Sequence, residues 1–309
     1  MLPYRSVDMR IVSLVPSSTE MLFALGLGDE IVGVTHECDF PEAAQSLRRV
    51  TRDLLPDGLS VSEIDAAVKE RTLRGEAIYA LDVETLHELQ PDLIVTQALC
   101  SVCAVSYDDV RTVAEEIDSQ PAVVSLDPRT VGEVLGDART LAQATDTKDA
   151  AVDLIREASA RIDRVRLAVR PAKRRPRVAA LEWLDPPYSA GHWTPQLIEY
   201  AGGDDVLGFP GEPSEERSWE SVLLARPDVV IVMPCGFDAQ TAHREAEMHR
   251  EMLAAVGAGE VVAVDGGAYF SRPGPRLIDG LELIAWILHP ELVPEPDGAR
   301  ERAFTVEVA

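Results

Sequence analysis

ETLHELQPDLIVT, residues Glu84–Thr96, is written a second time as ESVLLARPDVVIVM, residues Glu220–Met233. Each copy opens on a glutamate, continues as an amphipathic stretch, meets a Pro-Asp pair and closes on an apolar run rich in β-branched residues. Proline lacks the N–H that a helix interior needs, and its ring clashes with the preceding turn, so the helix ends there. The apolar run beyond it reads as a strand covered on both faces, the pattern of a parallel sheet. One such helix-to-strand unit in each half of the chain predicts two similar α/β lobes with a ligand cleft between them.

Working outward, the first lobe opens with a strand over Arg10–Val15 and an apolar helix over Met21–Leu27, with Ser17 or Ser18 placed to cap it. Ile31–Val34 reads as a second strand. Residues 47–80 read as an irregular insertion with one helix, Ser62–Leu73, and Leu93–Thr96 and Ala122–Leu126 complete the lobe. Residues 130–170 carry apolar positions at helical spacing, including Val152, Ile155, Ala158, Ile162, Val165 and Val169. They predict a stiff connector. Strands over Arg177–Trp183, Val229–Met233 and Val261–Val264 and a helix over Gly274–Leu288 make the second lobe. The expected division is an N-terminal lobe over 1–145, a connecting helix over 146–172, a C-terminal lobe over 173–289 and a mobile or draped acidic tail over 290–309.

The chain has 309 residues, 29 basic against 53 acidic, for a net charge of −24. That balance argues against nucleic acid or an anionic membrane as the main partner. No run approaches the roughly 20 apolar residues of a membrane span. MLPYRSVDMR leads straight into a strand without the pattern of a secretory signal, so the sequence places the protein in the cytoplasm, or outside it if the natural start lies upstream.

Ligands of parallel α/β sheets bind beyond the carboxyl ends of the strands. That rule selects Ser17, Ser18, His36, Cys38, Cys100 and Cys103 in the first lobe. In the second it selects Trp183, Trp193, Cys235, Tyr269, Phe270 and Arg272. All four cysteines fall in this set. They read in three ways: small buried residues, ligands to something held in the cleft, or a Cys100/Cys103 redox pair. His36, Cys38, Cys100 and Cys103 are the candidate metal ligands, since imidazole and thiolate both suit transition metals. The aromatic residues suit a flat, partly apolar ligand. Arg272 reads either as a clamp for a carboxylate or amide or as a surface residue. Glu84 and Glu220 occupy matching positions, where a carboxylate either stabilises a helix N-terminus or meets an arginine of a two-fold partner. No nucleophile elbow, phosphate-binding loop or dinucleotide fingerprint is present.

The motifs RIVSLVPSSTEMLFALGLGDEIVGVT, HECDFP, LCSVCAVS, EWLDP, GHW, MPCGF and SRPGPRL, together with the two PD[LV] strand entries, stand in order between Arg10 and His289. The chain resembles the periplasmic-binding-protein-like, helical-backbone (class III) substrate-binding family of ABC importers, which binds cobalamin, haem and iron–siderophores. It is most similar to the cobalamin-binding branch. The resemblance implies two Rossmann-like lobes bridged by a long rigid helix, and a non-catalytic monomer that needs no cofactor and carries cobalamin as its ligand. It also implies that Glu84 and Glu220 dock onto arginines of an ABC permease. The alternatives are a haem or iron–siderophore carrier and a cytosolic metal- or thiol-dependent enzyme built on the cysteines.

Overall fold

A computed structural model describes residues 9–56, 58–59, 61–74, 76–98 and 106–308. Cys100 and Cys103 lie outside the described residues. The chain forms two compact units. One runs to Asp127 and includes Asp137–Leu154; the other joins Pro128–Gly136 to the chain from Ile155 onward.

In the first unit β1 (Ile11–Ser13), α1 (Pro16–Ala24) and β2 (Ile31–Val34) are followed by β3 (Thr51–Asp53), α2 (Val61–Leu73) and β4 (Tyr79–Leu81). Then come α3 (Val83–Leu89), β5 (Leu93–Thr96), α4 (Tyr107–Glu116) and β6 (Ala122–Ser125). The sheet has the order β2-β1-β5-β6 and is parallel throughout. Val12, Leu14, Leu86, Leu89, Ile94 and Val110 make its core under α3 and α4. The insertion is less irregular than the sequence suggested, because β3 and β4 pair antiparallel as a separate ribbon. Helix α1 starts earlier than expected. Pro16 begins it with its φ already helical, Val15 is the N-cap residue without a side-chain cap, and Ser17 and Ser18 are buried inside the helix instead of capping it.

Two helices follow, α5 (Val131–Thr145) and α6 (Lys148–Val169). At 22 residues, α6 is about 33 Å long. Its buried stripe is Ala151, Ala158, Ile162, Val165 and Val169, whereas Val152 is 61% exposed. Ala151 thus takes the place the sequence reading gave to Val152. Within the second unit Arg161 of α6 holds Glu282 through Nε (3.0 Å) and Nη2 (2.7 Å), and Asp279 through Nη2 (2.6 Å). These paired, partly buried contacts press its guanidinium pKa upward.

The second unit contains β7 (Arg177–Leu184), β8 (Pro187–Ser189), α7 (Thr194–Tyr200), β9 (Asp204–Asp205), β10 (Glu215–Glu216) and α8 (Trp219–Ala225). It continues with β11 (Val229–Val232), α9 (Ala239–Met248), α10 (Arg250–Val256), β12 (Glu260–Val264), α11 (Gly266–Tyr269), α12 (Leu277–Leu288), α13 (Ala299–Arg302) and β13 (Ala303–Thr305). The sheet runs β10-β8-β7-β11-β12-β13, with β9 also beside β7. Its β7, β11 and β12 are parallel. The tail corrects an expectation. It is not loose, because β13 pairs antiparallel with β12 and Val306 is 2% exposed, so the tail closes a sheet edge.

The repeated phrase folds the same way twice. Both α3 and α8 have seven residues, capped by Asp82 (accepting from Thr85 N, 3.0 Å) and Ser218 (accepting from Ser221 N, 3.1 Å). Each ends on a left-handed residue, Gln90 (φ 42°) and Arg226 (φ 46°). Asp92 and Asp228 then each accept, at 2.8 Å, the main-chain N–H of an arginine opening the neighbouring strand region, Arg10 and Arg177. The same arginines donate to the last carbonyls of the helices, Arg10 Nε to Leu89 O (2.7 Å) and Arg177 Nη2 to Ala225 O (2.6 Å). A helix C-terminus leaves such carbonyls without partners, and the guanidinium satisfies them.

Candidate functional site

In the first unit the loops after β1 and β2 meet in a chain of small polar groups. Ser13 Oγ lies 2.6 Å from Ser18 Oγ, and Thr19 Oγ1 donates to Ser13 Oγ at 2.7 Å. The Cys38 thiol lies 3.1 Å from both Thr19 Oγ1 and Thr35 Oγ1. Ser18 and Thr19 are 0% and Cys38 is 1% exposed. Cys38 therefore ties the β2 loop to α1 from inside and does not present sulfur at the surface. Thr19 and Thr35 hold it there, and Ser13 in turn accepts from Thr19. Ser17, 6% exposed, is nearly as deep.

His36 is half-buried just beyond β2. Its Nδ1 is 2.7 Å from Thr51 Oγ1, and its ring lies 5.1 Å from that of Tyr79, whose hydroxyl donates to Glu37 Oε1 at 3.1 Å. Both supports belong to the β3–β4 ribbon, so the insertion serves to hold the β2 loop. Nothing in the sequence around Thr51 or Tyr79 signals this, because the contact depends on how the ribbon folds back. Among the described residues no three His, Cys, Asp or Glu side chains gather in a metal-holding cluster.

In the second unit the loops after β7, β11 and β12 converge. The Trp183 and Phe237 rings lie 5.7 Å apart at a 52° tilt. Cys235 N donates to Glu182 O (3.2 Å), and Gly267 N donates to Phe237 O (2.9 Å). Gly266 permits this approach, since a Cβ there would stand 2.7 Å from Met233 O. Cys235 is exposed, Trp183 and Arg272 are half-buried, and the Trp183 indole N–H is buried without a hydrogen-bond partner among the described residues. Trp183, Cys235 and Phe237 thus share one surface, and Gly236 N donates to Ser271 Oγ (3.4 Å), which ties the segment carrying Arg272 to it.

Trp193, Tyr269 and Phe270 belong instead to its support. Trp193 is 5% exposed and its indole N–H donates to Phe270 O at 2.8 Å. Phe270 is 4% and Tyr269 7% exposed, with the Arg302 guanidinium 4.9 Å from the Tyr269 ring centre. Burial and then that arginine act oppositely on the Tyr269 phenol, and burial wins, raising its pKa. His192 adjoins Trp193 in a left-handed conformation (φ 53°), and burial, followed by the charge of Arg129, lowers its pKa.

Asp205 accepts from Gly208 N (2.8 Å) and Leu207 N (2.9 Å) through Oδ1, while Oδ2 is buried without a partner among the described residues. Burial pushes its pKa up to about 6 against the opposing pull of the two amides and Arg217. Glu84 and Glu220 are the second residues of α3 and α8, are exposed, and have no ion-pair partner among the described residues.

A family model described as periplasmic binding protein matches residues 11–266. A vitamin B12-binding protein of Vibrio cholerae is 22% identical over 285 residues, covering 90% of this chain and 88% of its own. One from Yersinia pestis is 23% identical over 280 residues, covering 90% and 85%. Among solved structures, the periplasmic vitamin B12 binding protein BtuF of Vibrio cholerae superposes with a TM-score of 0.66 at 21% identity, over 91% of this chain and 96% of that one. A periplasmic haem-binding protein from Pseudomonas aeruginosa gives 0.73 at 17% identity, over 97% and 98%. At such identities the superpositions establish the fold. The family match overturns the cytoplasmic placement expected from the N-terminal sequence, because the matched family is one of periplasmic, hence extracytoplasmic, proteins.

Proposed function

Since the chain belongs to the periplasmic binding protein family, we propose that it is the non-catalytic substrate-binding component of an ABC importer, carrying a corrinoid of the cobalamin type. The observation that carries this reading is the run of vitamin B12-binding relatives aligned over 90% of the chain. The loop surface of the second unit supports it, because Trp183 and Phe237 offer aromatic area to a flat macrocycle. In the first unit His36 is the candidate ligand contact, Ser17, Ser18 and Cys38 support its surroundings from within, and Cys100 and Cys103, outside the described residues, stay candidate contacts. The ligand is cargo, and the protein needs no cofactor of its own. No nucleic acid is involved, and the working form is a monomer.

Glu84 and Glu220 would then be the docking contacts to arginines of the permease. Two exposed carboxylates at equivalent turns of a repeated element, without an ion-pair partner among the described residues, suit a two-fold partner. Haem is the competing ligand. Quenching of tryptophan fluorescence during parallel titrations with cobalamin and haem tests the choice: saturable quenching by cobalamin at lower concentration is expected, and quenching by haem alone would reverse the assignment.

A further inference from the structure

Thr51 determines which nitrogen of His36 carries the proton in the neutral ring. Its Oγ1 lies 3.0 Å from the main-chain N of His36 and 2.7 Å from Nδ1. The main-chain N–H can only donate, so it occupies one lone pair of the hydroxyl. Thr51 is 7% exposed, and among the described residues its hydroxyl hydrogen has a single acceptor within reach, His36 Nδ1. A buried donor left unmatched costs about 1–3 kcal/mol. The neutral imidazole therefore accepts at Nδ1 and keeps its proton on Nε2. Tyr79 lies against the ring and donates to Glu37, which braces the same loop.

We infer that His36 recognises the ligand as a hydrogen-bond donor through Nε2–H, and is not a ligand to its metal. A protonated ring nitrogen has no lone pair to give to cobalt or iron. It does suit a carbonyl oxygen on a macrocycle's rim, and a corrinoid carries carboxamides there. This rests on the function proposed above, at the carboxyl end of β2 where an α/β sheet presents its ligand face. Thr51 is then a positioning residue, and the insertion that supplies it sets the chemistry of the β2 loop.

Long-range proton–nitrogen NMR on the full chain reads the tautomer directly, and calorimetric titration with aquocobalamin reads its use. The wild type should show the proton on Nε2. His36→Ala should bind about tenfold more weakly, the loss of roughly one hydrogen bond, with partial recovery in His36→Gln, whose amide N–H lies near the same place. Thr51→Val should release the tautomer and weaken binding, and Thr51→Ser should restore both, which a merely structural role for the side chain would not predict. A proton on Nδ1, wild-type affinity in His36→Ala, or a cobalt–imidazole visible band that disappears in His36→Ala would each overturn the inference while leaving the function intact. A wild type that binds no cobalamin while keeping Nε2–H would overturn the function, and the recognition role with it.

Discussion

At the scale of single residues, the unit-two loop surface makes its strongest demand on Trp183. Its ring adds flat apolar area beside Phe237, and buried aromatic anchors carry a large share of binding energy. Trp183→Ala should weaken cobalamin binding about thirtyfold, or ~2 kcal/mol, without changing the circular dichroism spectrum; unchanged affinity would remove Trp183 from the ligand surface. Asp205 makes a different prediction. Its folded pKa, about 6, lies above the ordinary 3.8 because burial disfavours the charge. The folded state thus holds a proton that the unfolded state has lost, so this group stabilises the fold below pH 3.8 and the contribution disappears as pH rises through 6. Asp205→Asn should therefore gain stability over the wild type between pH 4 and pH 7, by about 2–3 kcal/mol in urea titrations. An advantage that does not grow across that window would contradict the origin assigned to the shift. The sequence selected Cys38 and Trp193 by their distance past an expected strand, but that position does not say whether a side chain faces inward, and Trp193 follows β8, which turns back antiparallel to β7. Thr19 and Thr35 turn Cys38 in, and the Phe270 carbonyl pins Trp193.

Among elements, the repeat was the most legible part of the chain. Pro91 and Pro227 fix where α3 and α8 stop, and the apolar runs after them leave only buried parallel strands. Arg10 and Arg177 were not legible as partners of the repeat, since they stand far from it in sequence and meet it only across the sheet. The tail was misread for a related reason. Its acidic, proline-containing composition suggests disorder, yet Phe304 lies in an edge strand and Val306, just past it, is buried and donates its N–H to Val261 O (2.8 Å). Deleting residues 303–309 should cost at least about 2 kcal/mol through Val306 alone and expose the β12 edge, lowering the thermal midpoint; an unshifted midpoint would mean the strand is dispensable. Arg161 joins α6 to α12 through three hydrogen bonds. Arg161→Leu leaves Asp279 and Glu282 facing each other without the cation, and a loss of about 1–3 kcal/mol is expected, between the values for exposed and buried pairs. Urea denaturation would expose the error if no loss appeared.

For the whole molecule, the account separates carrying a ligand from handing it over. Glu84 and Glu220 lie on exposed starts of the helices that lead into β5 and β11. The double variant Glu84→Ala/Glu220→Ala should bind cobalamin like the wild type and fail to support uptake in cells that depend on it; normal uptake would dismiss the docking role. Fold and family were readable because they rest on spacing and on ordered motifs along most of the chain. Compartment was not, since it follows from membership in a periplasmic family and not from the first residues of the sequence. The central claim is that this protein holds a corrinoid and does nothing chemical to it. Calorimetric titration with cobalamin, followed by mass spectrometry of the recovered ligand, measures both halves at once. The account predicts one site with a dissociation constant of about 1 µM or tighter, worth at least ~8 kcal/mol, and cobalamin returned unaltered; the absence of heat at high micromolar ligand, or a modified corrinoid in the eluate, would contradict it.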